Sequence, residues 1–234
     1  MGQPMLKYNG FELVERLIKK GGGKLDVILA ETKMEERDWL EFKSVVVPAQ
    51  KEWKDGENEN TNRWHVAHAV MALANSWGGA VIVGIPDKNE SGKKNNKTVE
   101  NTEKRDVQLE EPIDFAEGIN EFITWDRYQS QHLDAAIFPQ NREWIKDTNG
   151  RVRYSISPER LDSLRRLVTY DAIEFKGKRL VLIKVKPISG DNFIIIDEHA
   201  NGTDGHAVLY AREKGNRGED KRISLDPERF KQSR

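Results

Sequence analysis

The stretch ALANSWGGAVIVGIPD, residues 72–87, is the most informative part of the sequence, because its pattern predicts the end of a helix followed directly by a buried strand. A helix is predicted over residues 63–77, where apolar side chains recur at helical spacing and the pair Gly78-Gly79 ends it. The run AVIVGI that follows, residues 80–85, is continuously apolar, as expected for a central strand covered on both faces. The sequence therefore predicts a helix that leads straight into the middle of a sheet.

A second strand precedes that helix, in the segment LEFKSVVV, residues 40–47. Side chains alternate between the two faces of a strand, so Leu40 and Phe42 are predicted to share one face. Glu41 and Lys43 are then predicted to share the other. Together with the helix and the strand at 80–85, this segment predicts a strand–helix–strand unit.

The rest of the chain predicts further helices, strands and a long polar loop. Helices are predicted over residues 11–20, 113–122 and 158–167, the first ended by three glycines and the last capped by Ser157. Strands are predicted over residues 135–138, 168–175, 179–185, 193–196 and 207–212, with a turn at 176–178 between the second and third. Residues 90–112 are the most polar stretch and predict a surface loop.

Composition narrows the class of protein. We interpret residues 1–234 as a single domain with the polar loop at about 90–112 and a charged C-terminal tail. There is no apolar run long enough to cross a bilayer and no signal-peptide pattern, and the absence of cysteine rules out disulfides and Cys-ligated zinc. Cytoplasmic residence is expected, with no membrane association. The formal net charge of -1 does not indicate nucleic-acid binding, but 38 Lys and Arg can still concentrate on one face.

Three carboxylates and one lysine are the candidate catalytic residues. Glu36 precedes Glu41 by five residues, Lys43 shares a strand face with Glu41, and Asp87 lies just past the strand at 80–85. Converging carboxylates bind Mg²⁺ or Mn²⁺, which can polarise a phosphodiester and activate water, while a nearby Lys can stabilise the negative charge that develops. On spacing alone, solvated acids with a strand-face Lys are the favoured interpretation, because the chain has 39 acidic residues.

Two segments resemble the signatures of the Schlafen family, in its AlbA-like domain. ERDWLEFK, residues 36–43, resembles E-S-x-x-L-E-F-K, and residues 72–87 resemble A-F-A-N-T-x-G-G-x-x-x-x-G-V-x-D. RLVLIKVKPIS, residues 179–189, and LYAREKGN, residues 209–216, fit more loosely the family's V-P-P-S strand end and its Y-x-R-x-G segment. The resemblance implies an α+β fold, a mixed β-sheet flanked by helices.

The resemblance also implies a function. Some members are described as DNA-binding regions of regulators, and vertebrate Schlafens include metal-dependent endoribonucleases that cut tRNA and rRNA. The acids of those nucleases correspond here to Glu36, Glu41 and Asp87. The resemblance thus predicts Mg²⁺ or Mn²⁺ held by these three residues with no zinc, Lys43 at the phosphate, and RNA favoured over DNA as substrate.

The chain departs from the family pattern in several places. Arg37 stands where the signature has Ser, Leu73 where it has Phe, and Pro86 where the residue is often acidic. The vertebrate nuclease core also has two lobes and a zinc site, whereas this chain supplies one lobe and no Cys. We therefore expect a homodimer, in which two copies form the two-lobed groove.

Other functions remain open at this point. The same fold can be a non-catalytic DNA- or RNA-binding regulatory module, and the near-neutral charge is compatible with a domain that binds only a protein partner. The pattern Glu41-Phe42-Lys43 is also similar to half of the restriction-nuclease motif. Those enzymes carry their other acid on a preceding strand, and Glu36 is too close for that arrangement.

Basic residues near the C-terminus are candidate nucleic-acid contacts. The segment 212–222 holds five basic and three acidic residues, and its candidates are Arg212, Arg217, Lys221 and Arg222. They are predicted to form an edge that contacts the phosphate backbone, with a solvated tail as the equal alternative.

Two pairs of residues in and near the helix have competing interpretations. His65 and His68 have metal-ligand spacing, but no third ligand is evident, so partly buried polar residues are the favoured interpretation. Trp39 and Trp64 can stack on unpaired bases, although core positions are favoured.

Overall fold

The computed structural model describes residues 9–33, 35–43, 59–85, 124–145, 152–189, 192–200, 205–212 and 220–224. The helices are α1 Gly10–Lys20, α2 Asp26–Thr32, α3 Glu59–Ala74, α4 Trp125–Tyr128, α5 Asp134–Ile137 and α6 Pro158–Leu167, with a π-helical turn, Gln129–Leu133, between α4 and α5. The strands are β1 Leu40–Lys43, β2 Gly79–Val83, β3 Glu143–Ile145, β4 Val152–Ser155, β5 Val168–Phe175, β6 Lys178–Val185, β7 Ile195–Ala200, β8 His206–Arg212 and β9 Asp220–Ser224.

Four strands form a mixed sheet in the order β1-β2-β6-β5. β1 and β2 are parallel, with Leu40 opposite Ala80 and Lys43 opposite Val83, whereas the other two pairs are antiparallel. A parallel pair needs a crossover, and α3 lies between β1 and β2 in the chain. The predicted strand–helix–strand unit is confirmed, and it makes β1 an edge strand of the mixed sheet.

Both faces of the mixed sheet are covered. Alternate residues pack against α1 and α2 on one face, among them Leu40, Phe42 and Ile82. The intervening residues, such as Val81 and Ile183, pack against α3 on the other face. Every residue of β2 is buried, which explains why this stretch is apolar without alternation.

The second sheet lies on the far side of α3. It is antiparallel throughout, in the order β3-β4-β7-β8-β9. α3 therefore sits between two sheets, and its residues 66–74 are all buried except for the half-buried His68. The predicted α+β fold with a mixed sheet flanked by helices is confirmed. None of the described helices has the length and apolar character needed to cross a bilayer.

Several predicted elements match the structure and one was wrong. The hairpin of β5 and β6 turns on Lys176 and Gly177, both at positive φ (47° and 74°), which suits a two-residue turn. The Ser157 hydroxyl caps α6 by accepting a hydrogen bond from the Arg160 N–H. The predicted strand at 135–138 is wrong, because residues 135–137 belong to α5 and Phe138 follows the end of that helix. The predicted helix at 113–122, the loop at 90–112 and the end of the first strand at 44–47 lie outside the described residues.

Candidate active site

Glu41 is a buried acid at the edge of the mixed sheet. It lies in the middle of β1, and only 4% of its surface is exposed. The predicted alternation is confirmed: Leu40 and Phe42 enter the core beneath α1 and α2, and Glu41 faces the opposite side. A buried carboxylate is costly unless hydrogen bonds and opposite charges compensate its lost hydration, so its partners decide what it can do.

Both oxygens of the Glu41 carboxylate are ion-paired. The Lys43 ammonium contacts Oε1, and Nη2 of Arg212 contacts Oε2. Lys43 approaches from two residues along the same face of β1, and its side chain is 17% exposed. Two cations thus hold one carboxylate in a mostly dry environment, where such contacts are stronger than at the surface.

Arg212 reaches this site from the second sheet. Its side chain is fully buried at the end of β8. Nη1 donates to the carbonyl oxygens of Arg37, at 2.6 Å, and Leu40, at 3.4 Å, and the backbone N–H donates to the Ser76 hydroxyl at 2.7 Å. The arginine therefore ties β8 to both the start of β1 and the end of α3.

Arg212, the first residue of the predicted phosphate-binding edge, is not on the protein surface. Instead of lying on an outer edge, the Arg212 side chain is buried against Glu41. Arg217 lies outside the described residues. Lys221 and Arg222 lie in β9, where the backbone pairs them with Ala211 and Tyr210. A phosphate-binding role for these three residues stays a prediction.

Glu36 lies against the same strand. Its Oε1 accepts a hydrogen bond from the backbone N–H of Phe42 at 2.9 Å. Because β1 is an edge strand, that N–H would otherwise lack a partner in the sheet, and the Glu36 side chain supplies one. The Glu36 carboxylate is consequently fixed beside the peptide bond that joins Glu41 to Phe42.

The structure thus places Glu41 and Lys43 in contact on β1, and Glu36 against the backbone of the same strand. Asp87, the fourth predicted site residue, lies outside the described residues, so its place in the site stays a prediction. Among the residues that the structure describes, no group of three His, Asp or Glu side chains could hold a metal ion. A three-acid metal site would therefore need a residue from outside the described part of the chain, and Asp87 is the predicted one.

Arg212 is the site residue whose role the sequence analysis missed. A signal for it exists in the segment 208–212, where Val208 and Tyr210 face the core. Period-two alternation places Arg212 on the same inward face. An arginine at a core-facing position needs a buried hydrogen-bond acceptor. In the structure that acceptor is Glu41.

The remaining candidates near α3 are structural. The Asn75 amide donates to the carbonyls of Ile194 and Tyr210, both at 2.9 Å, and accepts from the Ile194 N–H at 2.7 Å, so it joins the end of α3 to the second sheet. The ring of Trp64 stacks on Tyr154 with centroids 3.8 Å apart. Trp39 is also buried. The favoured core interpretation of both tryptophans is confirmed.

His65 and His68 of α3 are partly buried, in agreement with the interpretation favoured from the sequence. The His68 ring packs between aromatic neighbours, with ring centroids 5.6 Å from Trp64 and 4.1 Å from Tyr210. The His68 ring therefore contributes to the aromatic packing between α3 and the second sheet.

An open cleft of about 550 Å³ lies at the opposite edge of the mixed sheet, beside β5. Burial and the neighbouring Asp134 carboxylate, which accepts a hydrogen bond from the Tyr170 hydroxyl at 3.0 Å, raise the pKa of that tyrosine. Tyr170 pairs with Ile183, which pairs with Val81 opposite Glu41. Three strand spacings of about 4.8 Å therefore separate the cleft from the acids, and it forms no part of their site.

A family model and a solved structure match the chain. The chain matches the family model described as Schlafen, AlbA_2 over residues 36–216, a span that includes all four predicted catalytic residues and Arg212. No curated protein matches the sequence. The crystal structure of the DIP2311 protein from Corynebacterium diphtheriae is similar at 18% sequence identity and a TM-score of 0.39, over 89% of this chain and 26% of that one, so the chain spans about a quarter of that protein's length. Because the family model covers most of its residues, the chain belongs to the Schlafen, AlbA_2 family.

Proposed function

We propose that this chain is a divalent-metal-dependent endonuclease that acts on structured RNA, with tRNA as the expected substrate. The observation that carries the proposal is the arrangement at β1, where the Glu36 and Glu41 carboxylates are fixed at one strand edge with the Lys43 ammonium beside them. Family membership supports handling of nucleic acid, and the cluster supports chemistry at a phosphate.

The residues present fit a hard cation. Mg²⁺ and Mn²⁺ prefer carboxylate oxygens. A carboxylate has about four lone-pair sites, so the contacts of Glu41 with Lys43 and Arg212 leave acceptor capacity on each oxygen. The Glu36 carboxylate accepts the Phe42 N–H through Oε1. Glu36 and Glu41, with Asp87, would hold the ion.

Covalent geometry allows Asp87 to join them. Val83 ends β2 directly opposite Lys43, because the two strands are parallel. Asp87 follows four residues later, and four residues span at most about 14 Å. Asp87 is therefore within reach of the end of β1 that carries Lys43.

Each residue then has a role in the reaction. A bound divalent ion would supply Lewis acidity towards the phosphodiester and a more acidic water. Lys43 would place positive charge where the phosphoryl oxygens become more negative. Glu36 is oriented by the Phe42 N–H, and Glu41 by its two cations, so the acids are positioned before substrate arrives.

Nucleic-acid binding beside the site is supported by the β8–β9 hairpin. Arg212 anchors the end of β8 at Glu41 and pairs through its backbone with Asp220 at the start of β9. Arg217 lies in the connection between them, and Lys221 and Arg222 follow in β9. We include a phosphate-binding role for Arg217, Lys221 and Arg222 in the proposal, because the segment that carries them begins at Arg212.

A second function has one specific observation in its favour. Lys43 and Arg212 already compensate Glu41, so the cluster is stable as an internal ion network that needs no metal. A non-catalytic DNA- or RNA-binding regulatory module is the function this feature favours.

Incubation with total tRNA and with duplex DNA, each in Mn²⁺, Mg²⁺ or EDTA, tests the proposal. We expect discrete tRNA fragments with either metal, intact tRNA in EDTA, and DNA that remains uncut. EDTA removes the ion that Glu36 and Glu41 would hold and leaves the fold in place, since the cations of Glu41 are internal. Salt-sensitive binding without cleavage in any metal would instead identify the regulatory module.

A homodimer is the expected assembly, because one lobe supplies half of the groove that two-lobed relatives use. Light scattering of the 26.9 kDa chain is expected to give twice that mass at micromolar concentrations. RNA should lie in a two-fold groove lined by Lys and Arg. A monomeric mass throughout that range, in a preparation that still cuts RNA, would exclude the shared groove.

A further inference from the structure

We propose that Arg212 is the internal counter-cation of Glu41: a positioning residue that holds the carboxylate in place and competes with a divalent ion for it. The inference rests on the proposed metal site for its second half. Its first half concerns the protein without metal and stands on the contacts alone.

Arg212 is fixed in place on several sides. Its side chain has no exposed surface, and its two terminal nitrogens contact different groups: Nη1 the carbonyls of Arg37 and Leu40, and Nη2 the Glu41 carboxylate. Ser76 holds its backbone N–H. A guanidinium held as a rigid fork cannot swing away as a surface lysine can, so its charge stays beside Glu41 when another cation arrives.

A fixed positive charge near the acids changes what they bind. The described charges, Glu36 and Glu41 with Lys43 and Arg212, sum to 0, and adding a divalent ion gives +2. Without Arg212 the same complex would carry +1. The arginine therefore weakens the site's hold on the ion by like-charge repulsion and leaves a net positive site for a phosphodiester.

Titration with Mn²⁺ alone, by calorimetry on the full chain, tests the competition. Arg212→Gln is expected to bind Mn²⁺ about tenfold more tightly than the wild type, as expected for removing one like charge a few Å away. Arg212→Lys is the matched control, because it retains the charge but not the fork, and it should bind Mn²⁺ with wild-type affinity. A purely structural arginine predicts the opposite sign: weaker Mn²⁺ binding in both variants would overturn the proposal.

A double-mutant cycle in EDTA tests the counter-cation role without metal. Glu41→Gln, Arg212→Gln and the double variant are compared with the wild type by urea unfolding. We expect the double variant to be more stable than the sum of the single losses predicts, because each single change leaves a buried charge with fewer partners. A single variant that fails to fold while the double variant folds has the same meaning. Additive losses, or a double variant that also fails to fold, would refute the role.

The outcomes separate this inference from the proposed function. Mn²⁺ binding by Arg212→Gln but not by the wild type would support the competition and contradict a metal-dependent wild-type nuclease. If neither protein binds Mn²⁺, the metal site and the competition both fail, and the cycle in EDTA still decides whether Arg212 neutralises Glu41.

Discussion

Replacing Glu41 by Gln is expected to lower RNA cleavage by roughly a thousandfold or more, because metal ions contribute several kcal/mol to stabilising a phosphoryl transition state. Gln nearly keeps the shape of Glu but loses the charge, and its NH₂ group cannot ligate a cation. The carboxylate that is lost is buried between Lys43 and Arg212, so a carboxylate from the solvent cannot take its place. Single-turnover cleavage of one tRNA, for wild type and variant, measures the effect.

RNA binding by Glu41→Gln should survive the change. Affinity for nucleic acid comes from Lys and Arg that neutralise phosphates, and the variant releases Lys43 from its acid. Lys43→Ala is expected to weaken both cleavage and binding, the latter modestly. Affinity is measured on the same RNA in EDTA, where no cleavage interferes.

Glu35→Gln is the matched control for the acid substitution. Glu35 is one residue from Glu36, but its side chain is 39% exposed and pairs at 3.3 Å with the similarly exposed Arg37. Its loss should leave cleavage and stability nearly unchanged, as for most surface pairs. Thermal unfolding of both variants checks that Glu41→Gln is folded at the assay temperature. Undiminished cleavage by Glu41→Gln would place the activity elsewhere or in a contaminant.

Local patterns predicted the part of the site that lies on one strand. Period-two alternation put Glu41 and Lys43 on a shared face, and the apolar run after Gly79 identified the central strand beside them. Both inferences hold because strand geometry alone determines which way neighbouring side chains point. The partner of Glu41 could not be found in this way. Arg212 is 171 residues away in sequence and meets it only because the second sheet folds over α3.

The elements that were missed or misread have short or ambiguous patterns. Residues 135–138 are four apolar or small residues, a length at which strand and helix cannot be told apart. Tertiary packing favours the helix, because Ala136 and Ile137 of α5 are buried together with Leu133 of the preceding π-helical turn. β9, with the sequence DKRIS, lies at the end of the second sheet as described, and charged residues are common on edge strands but weaken a strand prediction.

Gly79→Ala is expected to destabilise the protein by roughly 2 to 6 kcal/mol, the combined cost of backbone strain and overpacking. Gly79 has φ 146°, a conformation that favours glycine, and a Cβ there would lie 2.1 Å from the carbonyl oxygen of Trp39. That oxygen accepts the Ala80 N–H at 2.8 Å, so the clash falls where β2 first pairs with the chain leading into β1. Chemical denaturation measures the loss.

Gly177→Ala separates the two contributions to this cost. Gly177 also has positive φ, 74°, but no atom lies within 4 Å of its added Cβ. Strain alone therefore applies, and a loss of about 1 to 2 kcal/mol is expected. The additional loss of unfolding free energy in Gly79→Ala then measures how closely β1 and β2 approach each other. β1 carries Glu41, and β2 precedes Asp87 in the chain. Equal losses in the two variants would mean that the backbone at Gly79 can move away from Trp39, and that the spacing of the acid-bearing strands is not fixed by this contact.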